Sequence, residues 1–367
     1  MSAFEISKYK FIHLTPQNIY VVNFSNASLK SISVHSVGNR TLEQNIFLSK
    51  KSLKLSSELS EKLKDYFLGR FMNVYEQYTF SHATALKYNE VYSFVSELFS
   101  GDATPHSASI SIARHLYENS VHPKIKEGEL YVCLFENCEI DGKTTEVAGI
   151  FKTENKSGFF EVDKLDSEFS IVYKEGIDIN KFDKGCLVFN SNKKEGFLAN
   201  IIDNQNRGEE ALYWKENFLG LTQKANEFHQ TNEFLGIAKN FVTKQLSEDF
   251  EVSKADKIDL LNRSVEYFKT HESFDKKEFE KEVFQDAGLI KSFRNFDENY
   301  RQENEIELTD NFDISPQAVK KQARVFKSVL KLDKNFHIYI HGNRDLIEQG
   351  VEKDGRKFYK IYFDKEN

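Results

Sequence analysis

Helical and strand-like patterns of apolar residues occupy separate blocks of the chain. Before residue 120, apolar side chains recur at helical spacing in three segments. Between residues 130 and 203 they alternate with polar residues in six short segments, with turns expected at 141–142, 156–158 and 193–196. Helical spacing returns beyond residue 226. We therefore predict an α+β fold, with helices and then an antiparallel β-meander in a domain at 1–226, and a mostly helical domain at 227–367.

Capping residues predict where two C-terminal helices begin. Ser253 is followed by Asp256 at the spacing of a capping box, with aspartate in place of the usual glutamate. Asp275 can cap another helix that runs through Phe284. These signals place the helical part of the C-terminal domain directly before a basic segment.

A helix predicted over 316–331 carries a stripe of positive charge. Ser315 at the N-cap and Pro316 at the first helical position are typical of a helix start. The stripe repeats at i, i+4, i+7 and i+11, which places its side chains on one helical face: Lys320, Arg324, Lys327 and Lys331. Seven basic residues against one acidic residue give 315–344 a charge of +6, whereas the whole chain carries −7. A polyanion would relieve the repulsion within the stripe, and phosphate backbones are the commonest such partner.

The segment after this helix extends the predicted cationic surface. Phe336–Ile340 alternates as a strand, and its possible hairpin partner follows the Asp354-Gly355 turn. His337 and His341 lie about 13 Å apart by strand rise, too far to share one metal ion. We predict that duplex DNA contacts the following side chains: Lys320, Lys321, Arg324, Lys327, Lys331, Lys334, His337, His341 and Arg344. A possible secondary contact comes from Lys124, Lys126, Lys152 and Lys156.

An acidic segment at 272–310 offers a different interpretation of these charges. It holds twelve acidic residues against six basic ones, so its charge of −6 equals the basic segment in size. The basic stripe could therefore face this segment in the same chain or in a second subunit. The acidic segment could also dock a basic surface of a DNA-processing enzyme, which makes a protein-interaction module the second hypothesis.

A metal-dependent nuclease is the third hypothesis. Glu154 and Lys156 have the E-x-K form of one large nuclease superfamily, in which a carboxylate pair holds Mg²⁺. The nearest upstream partner, Asp141, lies in the predicted hairpin turn, at the opposite end of the strand from Glu154. The sequence contains no Walker-type loop, no G-x-S-x-G elbow and no H-E-x-x-H pair. We therefore expect a non-enzymatic protein, with no catalytic residues, no metal and no cofactor.

Composition places the chain among globular proteins. Hydrophobic residues make up 40% and charged residues 29%, and 33 phenylalanines predict a phenylalanine-packed core. No signal peptide or stretch of roughly 18 apolar residues is visible, so we expect no membrane association. The cysteines, Cys133, Cys138 and Cys186, are odd in number and lack zinc-ligand spacing, which indicates reduced thiols in the cytoplasm.

Four sequence blocks resemble a known family. They are HPKIKEGELYV at 122–132, GIFKTENK at 149–156, KGCLVFN at 184–190 and AVKKQARVFKSVLKLDKNFHIYIHG at 318–342. In this order they are similar to the bacterial nucleoid-associated proteins of the NdpA type, from about Ser31 to the C-terminus. The resemblance implies association with the nucleoid and DNA binding. We also expect a homodimer, from the frequency of dimers among proteins of this kind.

Overall fold

The computed structural model describes residues 21–166, 168–204, 213–324, 326, 329–332, 334–340 and 346–365. The chain divides into two compact units between Thr222 and Gln223, close to the boundary that the sequence suggests after residue 226. Both helices and antiparallel strands are present, which confirms the α+β class. No helix in the described ranges is both long and apolar enough to cross a membrane.

The N-terminal unit is built on a nine-stranded antiparallel sheet. Its strands are β1 Val22–Asn23, β2 Ser28–Val37, β3 Ile46–Phe47, β4 Tyr78–Phe80, β5 Gly128–Ile140, β6 Lys143–Thr153, β9 Lys184–Phe189, β10 Leu198–Asp203 and β11 Leu221–Gln223. The order across the sheet is β11-β4-β10-β9-β6-β5-β2-β3, and β1 also pairs with β5. The predicted turn between β5 and β6 is confirmed, with Asp141 and Gly142 both at positive φ as the tight hairpin turn requires.

Helices cover both faces of this sheet. They are α1 Ser57–Leu68, α2 Glu90–Ser100 and α3 Pro105–Asn119. Alternate residues of β5 point to opposite sides, so Val132 packs in the core under α2 and α3, while Phe135 packs in the core beside α1. On the α1 side, Phe67 stacks on Phe151 with ring centroids 4.2 Å apart. Burial on both faces explains the nearly continuous apolar runs of the central strands.

Two strands that were predicted as part of the β-meander do not join the nine-stranded sheet. β7 Lys156–Leu165 and β8 Glu168–Ile177 pair with each other as a separate two-stranded ribbon. The turn expected at 156–158 is therefore wrong, because these residues begin β7. The chain bends two residues earlier, where the Asp183 carboxylate accepts hydrogen bonds from the backbone N–H groups of Glu154 and Asn155 at 2.6 and 3.0 Å.

The C-terminal unit packs helices around phenylalanine side chains. Its helices are α4 Glu227–Asn240, α5 Leu246–Asp249, α6 Lys254–Thr270, α7 Lys276–Phe279, α8 Ala287–Glu303 and α9 Pro316–Ala323. Its strands are β12 Ser273–Asp275, β13 Asn311–Asp313, β14 Val329–Leu332, β15 Phe336–Tyr339, β16 Ile347–Val351 and β17 Lys357–Ile361. Phe274 lies 4.2 Å from Phe234 and 4.6 Å from Phe312 between ring centroids, which confirms the phenylalanine-packed core.

The predicted basic helix over 316–331 is half as long as expected. Ser315 caps it as predicted, but α9 ends at Ala323 and the chain resumes as β14. Leu330 explains the change, because as a strand residue it is buried against Ile258, Ile340 and Ile347 in a separate small core.

The strand pairing at the C-terminus also differs from the prediction. β15 pairs with β14, the strand before it, and not with the strand after Gly355. That later strand, β17, pairs with β16, so the described C-terminus contains two hairpins instead of one.

Candidate functional site

A cleft of about 540 Å³ lies in the C-terminal unit between α6, the end of α9 and the β14–β15 hairpin. Its lining residues are Asn262, Val265, Glu266, Lys269, Ala323, Arg324, Phe326, Val329, Lys331, His337 and Tyr339. We call this site the cationic cleft, because Lys269, Arg324 and Lys331 line it with a single carboxylate, Glu266. With His337 neutral, the lining side chains carry a net charge of +2.

The hairpin contributes one polar face to the cationic cleft. Lys331 lies directly opposite His337, and Val329 lies opposite Tyr339. The alternate residues Leu330 and Ile338 point the other way, into the small core. The hairpin therefore holds the Lys331 side chain on the cleft side because the opposite face is packed.

The predicted cations are exposed where the structure describes them. Lys320, Lys321, Arg324, Lys331, Lys334 and His337 are all exposed. Lys327, His341 and Arg344 lie outside the described residues. Lys321 is directed toward α4, with its Nζ 5.5 Å from the Phe228 ring centroid, and does not line the cleft.

The prediction of a single helical stripe is wrong, although two of its residues, Arg324 and Lys331, do line the same cleft. Because α9 ends at Ala323, Arg324 follows the helix and Lys331 comes from a strand. The fold, not helical spacing, brings Arg324 and Lys331 to the same cleft.

The acidic segment does not cover these cations in the part of the chain that the structure describes. Its two buried carboxylates are used locally: Glu280 pairs with Arg294 at 2.6 Å, and Asp297 pairs with Lys276 and Arg301, each at 2.6 Å. No ion pair within the described ranges involves the following exposed cations: Lys320, Arg324, Lys331 and Lys334. The positive charge of the cleft region is therefore open to a partner.

Sequence patterns missed the α6 side of the cleft. Asn262, Val265, Glu266 and Lys269 recur at i, i+3, i+4 and i+7, so they share one helical face. The Lys269 Nζ lies 3.4 Å from the Glu266 carboxylate, and both side chains are more than half exposed. The spacing alone could have indicated this polar face, but nothing in the sequence placed it beside β14.

Of the four lysines predicted as a secondary DNA contact, three are exposed and one is buried. Lys124 and Lys126 are exposed on either side of the buried Ile125. Lys156 is half exposed and pairs with Glu129 at 2.7 Å. Lys152 is fully buried, so its prediction as a DNA contact is wrong.

Burial of Lys152 follows from its place in the sheet. Its strand β6 lies between β5 and β9, and Lys184 of β9 is its direct cross-strand neighbour. The Lys152 ammonium donates to the Lys126 carbonyl at 2.6 Å and to the Glu154 carboxylate at 2.9 Å. Burial lowers the pKa of Lys152, and the Glu154 carboxylate opposes that shift.

The carboxylate proposed for the nuclease lies in the same buried network. Glu154 accepts from Lys184 and from the Tyr213 hydroxyl, each at 3.3 Å, in addition to Lys152. Asp141 lies at the far end of the eleven-residue β6, about 37 Å away by strand rise. These two carboxylates cannot hold one ion, and their separation agrees with the hairpin turn predicted at Asp141-Gly142.

A further group of possible metal ligands escaped the sequence patterns. His271, Glu278 and Glu282 have ligand atoms within 4.8 Å of one another. Both glutamates are exposed, and the Tyr267 hydroxyl donates to Glu278 at 3.2 Å. Exposed acidic groups of this kind are common at protein surfaces, and no other observation in the described residues points to an ion there.

The fold and the cleft together define an α+β protein with an open cationic surface on its C-terminal unit. A family model described as nucleoid-associated protein YejK matches residues 33–356, which is most of the 367-residue chain. The chain therefore belongs to this nucleoid-associated family, as the sequence blocks predicted. The match includes the cationic cleft. A comparison of the sequence with curated proteins gave no match.

Proposed function

We propose that this nucleoid-associated protein binds duplex DNA through its phosphates, using the cationic cleft, and that it is not an enzyme. The observation that carries the proposal is the exposure of Arg324 and Lys331 in one cleft, where the described acidic side chains leave them unpaired. Lys269 adds a third positive charge to the same cleft. Lys320 on α9 and Lys334 in the β14–β15 turn are exposed cations that would extend the contact along the DNA backbone.

The side chains of the cleft suit phosphate groups. The planar guanidinium of Arg324 can donate two hydrogen bonds to one phosphate, whereas the Lys331 ammonium acts as a compact point charge. The Asn262 side chain also lines the cleft, and its amide donates to the Ile340 carbonyl at 3.2 Å, which holds α6 beside the hairpin. Binding would release counterions condensed on the DNA, which is the main source of affinity in contacts of this type.

Low sequence specificity follows from the same geometry. A helix that reads base edges must enter the major groove. The basic helix α9 has eight residues and packs against α4 and α6, with Ala318 and Val319 buried. It therefore supports contact with the backbone, and we propose that base edges contribute little.

The proposal predicts that charge reversal in the cleft weakens DNA binding. We expect the double variant Arg324→Glu/Lys331→Glu to bind a 30-base-pair duplex at least tenfold more weakly than the unmodified protein in low salt. The matched control is Lys277→Glu/Lys281→Glu, which makes the same change in net charge at two exposed lysines outside the cleft. Fluorescence anisotropy measures the affinity, and circular dichroism verifies folding.

Two results would contradict the proposal. Equal losses in both double variants would show that only net charge matters, and an unchanged affinity of the folded cleft variant would remove the cleft from DNA binding. The non-enzymatic part is tested separately, by incubating plasmid with the protein and Mg²⁺ or Mn²⁺. Nicking that disappears in a Glu154→Gln variant would support the nuclease hypothesis instead.

Docking of a DNA-processing enzyme remains a second proposal, based on the exposed carboxylates of the acidic segment. Those on its surface are Glu272, Glu278, Glu282, Asp286, Glu298, Glu303, Glu305, Glu307 and Asp310. They would repel DNA and attract a basic protein surface. A pull-down in which reversal of Glu298 and Glu303 to lysine releases a bound enzyme would support this function.

A further inference from the structure

The β7–β8 ribbon presents two different faces. Each strand has ten residues, so the ribbon is about 33 Å long by strand rise. One face carries large apolar side chains, which are Phe160 (71% exposed), Val162 (58%), Phe169 (71%), Ile171 (67%), Tyr173 (58%) and Ile177 (37%). We call this set the apolar ribbon face. The opposite face includes Glu161, Asp163, Ser170 and Lys174, with Glu161 and Lys174 forming an ion pair.

Hydrogen bonds to residues outside the ribbon hold its base in place. Asp183 accepts the two backbone hydrogen bonds where the chain enters β7, and the Arg70 guanidinium donates to the Ile179 carbonyl at 2.9 Å where it leaves β8. Beyond this base, the two strands pair with each other and not with the nine-stranded sheet. The apolar ribbon face therefore has no covering layer among the residues that the structure describes.

An exposed apolar face of this size indicates an interface. Two-stranded hairpins are at best marginally stable in water unless a third strand or another layer covers their apolar face. Contiguous apolar patches on soluble proteins mark sites of association. The three aromatic side chains, roughly 200 Å² each and more than half exposed, contribute roughly 400 Å². The three aliphatic ones bring the face toward the roughly 800 Å² per partner of a standard interface.

The charge of the ribbon argues against DNA as its partner. Residues 156–177 contain three lysines and five acidic residues, so the ribbon carries −2. Ribbons that contact DNA require positive charge along the backbone. The charge of the ribbon therefore favours a protein surface over DNA as the partner of the apolar ribbon face.

We propose that the apolar ribbon face binds the same face of a second copy of this chain. The charges on this face complement each other: Lys164 lies near the tip and Glu175 near the base, and both are exposed. In a two-fold arrangement with the ribbons antiparallel, the tip of one ribbon lies over the base of the other. Each Lys164 then approaches the opposing Glu175, and the Phe160–Tyr173 pair of each copy packs on the Val162–Ile171 pair of the other. Such a self-complementary patch is what a two-fold dimer requires.

The test compares substitutions on the two faces of the ribbon. Phe169→Ser/Ile171→Ser removes an aromatic and an aliphatic side chain from the apolar ribbon face. Phe159→Ser/Val172→Ser removes the same types from the opposite face, where they are 50% and 47% exposed. By sedimentation velocity we expect a dimer for the unmodified protein and the control, and at least a tenfold larger dissociation constant for the apolar-face variant. A monomeric unmodified protein at 50 µM, or equal dissociation constants for both variants, would overturn the proposal.

Thiol cross-linking tests the arrangement without weakening the fold. All three native cysteines are buried, so a Val162→Cys variant presents its new thiol as the accessible one. A short bis-maleimide should link two Val162→Cys chains, whereas Val172→Cys on the opposite face should stay unlinked. Charge exchange gives an independent check, because Lys164→Glu and Glu175→Lys should each weaken the dimer and the combined variant should restore it. Since the cationic cleft lies in the other unit, DNA affinity measured on the same variants distinguishes this inference from the proposed function.

Discussion

At the scale of single residues, His35 shows how burial fixes a protonation state. The imidazole is 1% exposed, and Nδ1 accepts the Ser49 backbone N–H at 3.1 Å while Nε2 lies 2.9 Å from the Ser109 hydroxyl. Burial, reinforced by the nearby His106, lowers the pKa of His35 to about 4. A proton on Nδ1 would face an N–H donor, so the neutral ring fits this site.

This environment predicts a loss of stability in acid. Because the unfolded chain binds a proton at His35 near pH 6.5 and the folded chain near pH 4, stability falls as the pH decreases through that window. We expect the His35 contribution to lower the free energy of unfolding by about 1–2 kcal/mol between pH 7.5 and pH 5. Urea denaturation at both pH values measures it.

The control for His35 is a histidine in a different environment. His35→Gln keeps a donor and an acceptor but does not titrate, so its pH dependence should be flatter. His82→Gln, at an exposed position, should leave the pH dependence of the parent protein unchanged. Equal pH dependence in all three proteins would refute the account of His35.

Lys152 shows where residue patterns fail. Lys152, Glu154 and Lys156 alternate in the sequence, which suggested one shared surface. In the structure Lys152 is buried between two strands and Lys156 is exposed on the ribbon. The sequence could not reveal this, because a buried lysine is distinguished by its partners, here Glu154 and the Lys126 carbonyl, and both come from folding.

At the scale of elements, capping residues were the most informative signals. The capping box of α6 is confirmed: Ser253 accepts from the Asp256 N–H, and Asp256 accepts from the Ser253 N–H. The N-caps at Asp275 and Ser315 are confirmed as well. Such signals are local, so the sequence contains all of their parts.

The capping box of α6 predicts a modest stability effect. Ser253→Ala leaves the Asp256 N–H without its side-chain acceptor, and we expect it to reduce the free energy of unfolding by about 1 kcal/mol. Ser253→Asn retains a side-chain acceptor and should stay within a few tenths of the parent value. Chemical denaturation distinguishes the two variants, and equal losses would show that the cap oxygen is unimportant.

The end of a helix was harder to predict than its start. Basic residues at helical spacing suggested that α9 continues to residue 331. The last part of this segment, Val329–Leu332, also fits a strand in which Leu330 and Leu332 point inward and Lys331 points outward. Burial of Leu330 against Ile340 and Ile347 favours the strand, and those contacts are distant in sequence. Tertiary packing therefore decided between two local patterns.

At the scale of the whole molecule, charge is distributed unequally. The chain carries −7 overall, yet the cationic cleft carries three basic side chains against one acid. The acidic remainder would repel DNA from other surfaces, which favours one defined contact over wrapping. This contrast was visible in the sequence, whereas the participation of α6 in the cleft was not.

The unequal charge predicts a salt-dependent affinity. If the three cleft cations each neutralise one phosphate, the logarithm of the association constant should fall with the logarithm of salt concentration with a slope of about −2.7. Arg324→Glu/Lys331→Glu should flatten the slope by about 1.8, because two contacts are lost. Anisotropy titrations at salt concentrations between about 50 and 200 mM provide the slopes. A cleft variant with the parent slope would place the phosphate contacts elsewhere.

The path of the chain through the main sheet has a consequence for how this protein can vary. The chain leaves β6 after Thr153 and returns at Lys184, and these two strands are direct neighbours in the sheet. The β7–β8 ribbon between them is an excursion from this hairpin, whereas Glu154 and Asp183, at its base, are held by hydrogen bonds to the main sheet and to each other. Insertions or deletions within the ribbon would leave the strand register of the main sheet unchanged. Related proteins could therefore carry a longer, shorter or different ribbon on the same sheet.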